Sequence, residues 1–119
     1  MDAARSYRAL ADPTRLRVLR LLRPGPLCVG DLVSALRIPQ PAASRHLAYL
    51  SGAGLLRHQR RGQWSFYRLA APAGAFHRRL LESLDALRTP QLRRDRERLR
   101  ALRAAGGCCP QHPGRRNGG

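Results

Sequence analysis

A tight turn at Ile38-Pro39-Gln40, set between two short segments of helical character, constrains this sequence more than any other feature. Before the turn, Leu32 and Leu36 recur at helical spacing in a predicted helix over residues 28–36. After it, Pro41 suits the first turn of a new helix, which we expect to end near residue 51. Two helices joined by so short a turn form a helix-turn-helix, and the second is the predicted recognition helix.

A hairpin follows the predicted recognition helix. Residues 55–59 and 63–69 are predicted strands joined by a turn at residues 60–62. Upstream, the pair Asp12-Pro13 predicts the start of another helix, because Asp can cap free amides and Pro suits the first helical position. The predicted fold class is therefore α+β and mostly helical: a winged helix-turn-helix with a two-stranded β-hairpin wing.

Two more helices are predicted after the hairpin, at about residues 75–87 and 90–104. We expect residues 1–104 to form one winged helix-turn-helix domain. Residues 105–119 are rich in Gly and Pro, so we expect a flexible tail that contains two cysteines. No apolar run is long enough to cross a bilayer and the N-terminus has no apolar signal core, so we expect a cytoplasmic protein without a membrane partner.

The charge balance favours a polyanionic partner. The sequence has 23 Lys+Arg against 7 Asp+Glu, a formal net charge of +16, and every one of the cations is arginine. Arginine binds phosphate and guanine in a bidentate manner, so nucleic acid is favoured over a membrane surface. The few acidic residues, without a phosphate-binding glycine loop or paired carboxylates, offer little for acid–base catalysis. We therefore expect no enzyme and no catalytic cofactor.

The N-terminal end of the predicted recognition helix carries the side chains expected to contact DNA, since this end faces base edges in helix-turn-helix proteins. Ser44 and Arg45 can bond phosphate or bases, and Gln40 can read adenine. Ala43 is small enough for close approach to the groove, and His46 is either a DNA contact or a structural cap. The predicted DNA-binding residues are Gln40, Ala43, Ser44, Arg45 and His46, with Arg60 and Arg61 of the hairpin turn.

Three separated motifs carry a resemblance to a known family: ALADPTRLR at residues 9–17, QPAASRHL at residues 40–47 and WSFYRL at residues 64–69. In this order they closely resemble the ArsR/SmtB family of winged helix-turn-helix repressors, over about residues 5–85. The resemblance implies a homodimer whose first and last helices form the interface, bound to an inverted repeat in double-stranded operator DNA. It also implies that Arg60 and Arg61 reach the backbone or minor groove; the alternative is a solvated basic turn.

The cysteines suggest what such a repressor senses, because members of this family commonly release DNA when they bind a metal or metalloid. The segment around Cys28 looks like the arsenic-sensing motif of the founding repressors, but Gly30 stands where that motif has its second cysteine. Cys28 alone fits a small buried residue as well as a ligand. Without an export signal, we expect free thiols rather than disulfide bonds.

The adjacent Cys108 and Cys109 are the stronger feature. Both can reach one soft, thiophilic centre, and some arsenic-responsive members of the family have a C-terminal cysteine pair. Trivalent arsenic takes three sulfur ligands, whereas an organoarsenical needs only two. We expect trivalent arsenic or antimony, inorganic or organic, as the inducer. Its ligands are Cys108 and Cys109, with Cys28 of the same or the partner subunit, or an external thiol, as the third.

Other interpretations stay open. His112 would allow a zinc or cadmium site beside the cysteine pair, and the same thiols could form a redox switch. Another common zinc site of the family lies on the helix after the wing. Here that helix offers only His77 and Glu82, without an Asp-X-His pattern, so we expect His77 at an interface or the surface. The last alternative is a basic protein that binds nucleic acid without sequence preference.

Overall fold

The computed structural model describes residues 2–107 and confirms a mostly helical winged helix-turn-helix. α1 has no counterpart among the predicted helices, and α6 matches its predicted bounds. Within the described residues the elements are, in chain order, α1 (Ala3–Leu10), α2 (Pro13–Leu22), β1 (Leu27–Cys28), α3 (Val29–Leu36), α4 (Gln40–Gly52), β2 (Leu56–Arg61), β3 (Trp64–Leu69), α5 (Ala75–Asp85) and α6 (Pro90–Ala104).

The helix-turn-helix consists of α3 and α4, supported by α2. Asp12 caps α2 as predicted, because its carboxylate accepts hydrogen bonds from the backbone N–H groups of Thr14 (2.8 Å) and Arg15 (3.1 Å). α3 ends at Arg37, whose left-handed backbone (φ 54°) redirects the chain towards α4. In the described part of the chain, no helix has the length and apolar character needed to cross a bilayer.

The sheet has one strand more than predicted. Its order is β1-β3-β2 and both pairings are antiparallel. β1 is only two residues long, and Cys28 pairs with Phe66 of β3. β2 continues through Arg61, which pairs with Trp64, so the turn contains Gly62 (φ 58°) and Gln63 rather than residues 60–62.

The core lies around α2, which packs against β3 and against all five other helices of the described chain. Leu19 and Leu22 of α2 are at most 1% exposed. Leu32 of α3, Leu50 of α4 and Leu84 of α5 belong to the same buried cluster. Burying one such side chain stabilises the fold by about 1.5–3 kcal/mol. α4 is thus fixed by its apolar face, and its opposite face is left in solvent.

A buried carboxylate attaches α6 to the rest of the fold. Asp95 is fully buried and accepts two hydrogen bonds from Arg17 of α2, at 2.8 and 2.9 Å. It also accepts one from Arg98 (2.8 Å) and one from Gln91 (2.9 Å). The carboxylate therefore joins α2 to α6 through charge-assisted hydrogen bonds that satisfy both of its oxygens.

The same two arginines also cap α3. Arg17 donates to the carbonyl oxygen of Leu36 (2.8 Å), and Arg98 donates to that of Ala35 (2.7 Å). The last carbonyl groups of a helix lack partners within the helix, so these bonds satisfy groups that would otherwise need water. One cluster around Asp95 thus connects α2, α3 and α6.

Candidate nucleic-acid interface and the cysteine positions

One face of α4 is exposed and polar at its N-terminal end. Gln40, Ser44 and Arg45 are all exposed there, while Leu47 and Leu50 face the core. Pro39 precedes the helix in an extended conformation, and Pro41 lies in its first turn. The structure therefore brings three of the predicted DNA-binding side chains onto one solvent-facing surface of the helix.

Ala43 and His46 lie elsewhere. Ala43, predicted to contact DNA, has a side chain that is 1% exposed and lies on the core side of α4, away from the exposed face. His46 is half-buried, and its charge acts on Asp12, the cap of α2. Partial burial of Asp12 opposes ionisation, but hydrogen bonds from the Arg15 and Thr14 backbones and the charge of His46 outweigh it and lower the pKa of the carboxyl. This position favours a structural role for His46.

The hairpin of β2 and β3, termed the wing, provides a second basic surface. Arg60 and Arg61 are exposed and lie in the last two positions of β2, where they pair with Ser65 and Trp64. Their backbones are therefore held in the sheet rather than in a loose turn. Trp64 is half-buried and packs against Phe66 and Cys28, as expected of a core residue rather than a base-stacking platform.

The part of the chain that forms α4 and the wing is strongly basic. Residues 32–81 include α4 and the wing and contain no Asp or Glu, against eight arginines. Sequence reasoning named three of them, and of the five others Arg37 and Arg57 are exposed at the α3–α4 turn and on β2. The complete absence of carboxylates over 50 residues was the signal that could have identified them. A segment with eight arginines and no carboxylate of its own attracts a polyanion.

Cys28 is fully buried between the sheet and α3. Cys28 is the N-cap of α3, so the helix begins at Val29, one residue later than predicted. The Cys28 side chain packs against Phe66. Cys28 takes part in a disulfide bond, so the prediction of free thiols is wrong for this residue. The other two predicted ligands, Cys108 and Cys109, lie outside the described residues, as does His112.

The end of α6 returns the chain to the first turn of α3. Gly107, the last described residue, has a left-handed backbone (φ 72°), and a Cβ there would lie 3.3 Å from Oδ2 of Asp31. Asp31 is fully buried and lies three residues after Cys28. Gly107 is therefore close in space to the segment around Cys28, although the two are far apart in the sequence.

Comparison with known proteins identifies the family. The sequence profile described as "Bacterial regulatory protein, arsR family" matches residues 12–58. The arsenic resistance transcriptional regulator ArsR1 of Pseudomonas putida is 52% identical over 64 residues, which cover 53% of this chain and 50% of that protein. The arsenical resistance operon repressor of Escherichia coli is 43% identical over 77 residues, 64% of this chain and 66% of that protein.

A solved structure extends the match beyond the profile. It is the homodimeric winged helix-turn-helix DNA-binding domain Mb0332 of Mycobacterium bovis, a possible ArsR-family transcriptional regulator. This chain is 32% identical to it with a TM-score of 0.60, over 70% of this chain and 74% of that one. The chain belongs to the ArsR family. It spans only about half to two thirds of the length of the two curated relatives, which are regulators and not enzymes.

Within this ArsR-family fold, His77 lies in the interior, whereas a position at an interface or the surface was expected. It is 2% exposed, and its Nδ1 accepts a hydrogen bond from the backbone N–H of Ala73 (3.0 Å). Burial lowers the pKa of the imidazole below its usual value. Among residues 2–107, no three His, Cys, Asp or Glu side chains come together as a metal site.

Burial of His77 predicts a pH-dependent stability. Its folded-state pKa is below the unfolded value of about 6.5, so protonation favours the unfolded chain. The stabilisation is complete above that pH and is lost as the pH falls below it. We expect the Tm to decrease between about pH 7.5 and 5.5, and His77→Gln to reduce this decrease; circular dichroism melts measure both. The control is His58→Gln, at an exposed position. An equal effect of the two substitutions would contradict the assignment.

Proposed function

We propose that this ArsR-family chain is a dimeric transcriptional repressor that binds operator DNA and is released by trivalent arsenic. The observation that carries the DNA-binding part is the exposed face of α4, with Gln40, Ser44 and Arg45, beside a wing that ends in Arg60 and Arg61. An α-helix fits the major groove, and arginine at its N-terminal end can read guanine. The arginine-only charge of this region supplies the phosphate attraction.

A homodimer would use two copies of this surface. Mb0332 is homodimeric, and two-fold symmetry relates two recognition helices by the same operation that relates the halves of an inverted repeat. On α1 and α5, the exposed rings of Tyr7 and Phe76 meet edge to face, 5.5 Å apart between ring centroids. An exposed apolar pair of this kind is typical of an interaction surface, which supports α1 and, in place of the last described helix α6, α5 as the interface.

For the inducer, we propose a three-thiolate site composed of Cys28, Cys108 and Cys109 of one subunit. Its support is the position of Gly107, which precedes Cys108 and lies against Asp31 in the first turn after Cys28. Soft thiolates suit a thiophilic centre, and arsenite would exchange its three oxygen ligands for three sulfurs with release of water. The 52% identity to an arsenic resistance regulator supports the same inducer.

A redox switch is the second candidate, because Cys28 takes part in a disulfide bond. Oxidation of two thiols to a disulfide would occupy the ligands that arsenic needs. Arsenite sensing then requires the reduced protein, whereas a redox switch requires an oxidant alone. A zinc or cadmium sensor on α5 has less support, since His77 is buried and hydrogen-bonded to Ala73.

The test is fluorescence anisotropy of the reduced full chain on DNA from upstream of its gene, titrated with arsenite and with phenylarsine oxide. We expect both to weaken binding by about 5- to 100-fold, the range of typical allosteric coupling. The double variant Cys108→Ser/Cys109→Ser should lose both responses. Cys28→Ala should lose the arsenite response and keep the phenylarsine oxide response, which needs only two thiols.

Other outcomes would separate the alternatives. An unchanged response of the double variant would eliminate the cysteine pair as the site. Release by diamide, reversed by dithiothreitol, together with no response to arsenite, would establish the redox switch. Equal affinity for the upstream DNA and for scrambled DNA would indicate a basic protein without sequence preference, since a specific repressor prefers its site by about 10³-fold or more.

A further inference from the structure

A cavity of about 250 Å³ lies between α2, α6 and the α5–α6 turn, and its lining contains neither Cys28 nor any residue of α4 or the wing. Ligand pockets for small molecules occupy about 300–1,000 Å³, so this cavity suits a small ligand. Neither DNA binding nor the proposed cysteine site uses it. Its lining divides into an apolar part and a cationic part, and each restricts the chemistry of a ligand.

Four leucines form the apolar part. Leu21 of α2 and Leu99 of α6 are each 6% exposed, while Leu87 and Leu92 are half-buried. Such a surface gains stability when an apolar group covers it. A ligand for this cavity therefore has an apolar body, which excludes a simple inorganic anion as the best fit.

Arginines form the cationic part. Arg88, Arg93 and Arg96 are exposed and line the cavity, and their guanidinium groups have no hydrogen bond or ion pair among residues 2–107. Arg20 also lines it, and its buried Nε has no acceptor within the described chain. These guanidinium groups are therefore available to an external anion, which they can bind through charge-assisted hydrogen bonds.

The acidic groups nearby are already engaged. Asp95 is the one carboxylate of the lining, and its oxygens accept from Arg17, Arg98 and Gln91. Asp85 binds Arg23 at 2.7 Å and lies 3.9 Å from Arg20. Consequently the positive charge of Arg88, Arg93 and Arg96 is not compensated within the cavity. The N-terminus of α6 at Pro90 adds a favourable dipole for an anion.

We propose that this cavity binds a small organic anion composed of an apolar, ring-sized body and one carboxylate or sulfonate group. The apolar body lies on the leucines, and the anionic group is held by Arg93 and Arg96. Because the cavity contacts α2, α6 and the turn after α5, a bound anion connects the helix that supports the helix-turn-helix with the end of α5. The site is a second ligand site of the regulator, independent of its thiols.

The experiment is isothermal titration calorimetry of the reduced full chain, without DNA or arsenic, using 2-naphthoate as the probe. We expect saturable binding of 2-naphthoate, and much weaker binding of 2-naphthalenemethanol, which lacks the charge, and of inorganic phosphate, which lacks the apolar body. The variant Arg93→Gln/Arg96→Gln should weaken 2-naphthoate binding by about tenfold or more, since it removes two charge-assisted contacts.

The matched control is Arg100→Gln/Arg103→Gln, which makes the same change of charge on exposed positions of α6 outside the cavity. It should change the affinity by less than about twofold, because neither side chain lines the cavity. Equal weakening by the two double variants would show non-specific attraction and overturn the proposal. Absence of saturable 2-naphthoate binding, or equal binding of phosphate, would overturn it as well.

Discussion

Replacement of Asp95 by alanine is expected to lower the free energy of unfolding by about 3 kcal/mol. The substitution leaves Arg17 and Arg98, whose side chains are only 16% and 22% exposed, without the carboxylate that accepts their hydrogen bonds. Removal of one partner of a buried ion pair costs about 3–5 kcal/mol, and partial exposure of the arginines places the expected loss at the lower end. Urea denaturation followed by circular dichroism measures it.

The matched control for Asp95 is Asp85→Ala. Asp85 also contacts two arginines, at 2.7 Å to Arg23 and 3.9 Å to Arg20, but its side chain is 51% exposed. Solvent screens such a pair, so we expect a far smaller loss than for Asp95→Ala. Asp95→Asn should be intermediate, because the amide keeps an acceptor and the shape of the side chain. Equal losses for Asp85→Ala and Asp95→Ala would contradict a special role of the buried cluster.

The second large effect is expected at the tip of the recognition helix. Arg45→Ala should weaken binding to the operator by about 1–3 kcal/mol, roughly 5- to 150-fold, with little change for scrambled DNA. The reason is that Arg45 is exposed at the end of α4 that faces base edges. Fluorescence anisotropy on operator and scrambled duplexes measures both affinities, and equal weakening on the two would identify Arg45 as a phosphate contact.

The wing variant Arg60→Gln/Arg61→Gln provides the contrast. If these arginines bind phosphates, their loss should weaken binding to both duplexes by a similar factor. It should also reduce the slope of log K against log salt by about 2, since each phosphate contact contributes about 0.9. A loss of specificity without a change of this slope would place the wing arginines at base edges instead.

Elements with a strong local signal were predictable from the sequence. Asp12-Pro13 has the chemistry of a helix start, and Asp12 caps α2 as expected. The turn before α4 and the two strands of the wing were also predicted to within one or two residues. β1 was missed because a strand of two residues, held by pairing of Leu27 and Cys28 with β3, is too short for any periodic pattern.

The candidate site was predictable only in part. Side-chain chemistry pointed to Gln40, Ser44 and Arg45, but Ala43 has no polar atom to indicate which face it occupies, and only the rotation of α4 against α2 buries it. The burial of His77 was not predicted either, and its hydrogen bond from Ala73, four residues away, leaves no periodic signal in the sequence. The approach of Gly107 to Asp31 depends on the path of α6 and has no local signal at either residue.

The bonds that Arg17 and Arg98 make across α2, α3 and α6 have a consequence for how the chain unfolds. An isolated helix of 15 residues is marginal in water, so α6 depends on its packing against the other helices. Conversely, detachment of α6 would remove the Asp95 carboxylate from Arg17 and the Arg98 donor from the carbonyl of Ala35. We therefore expect α6 and the helix-turn-helix to lose their structure in one cooperative transition, so that α6 does not fray independently of α3 and α4.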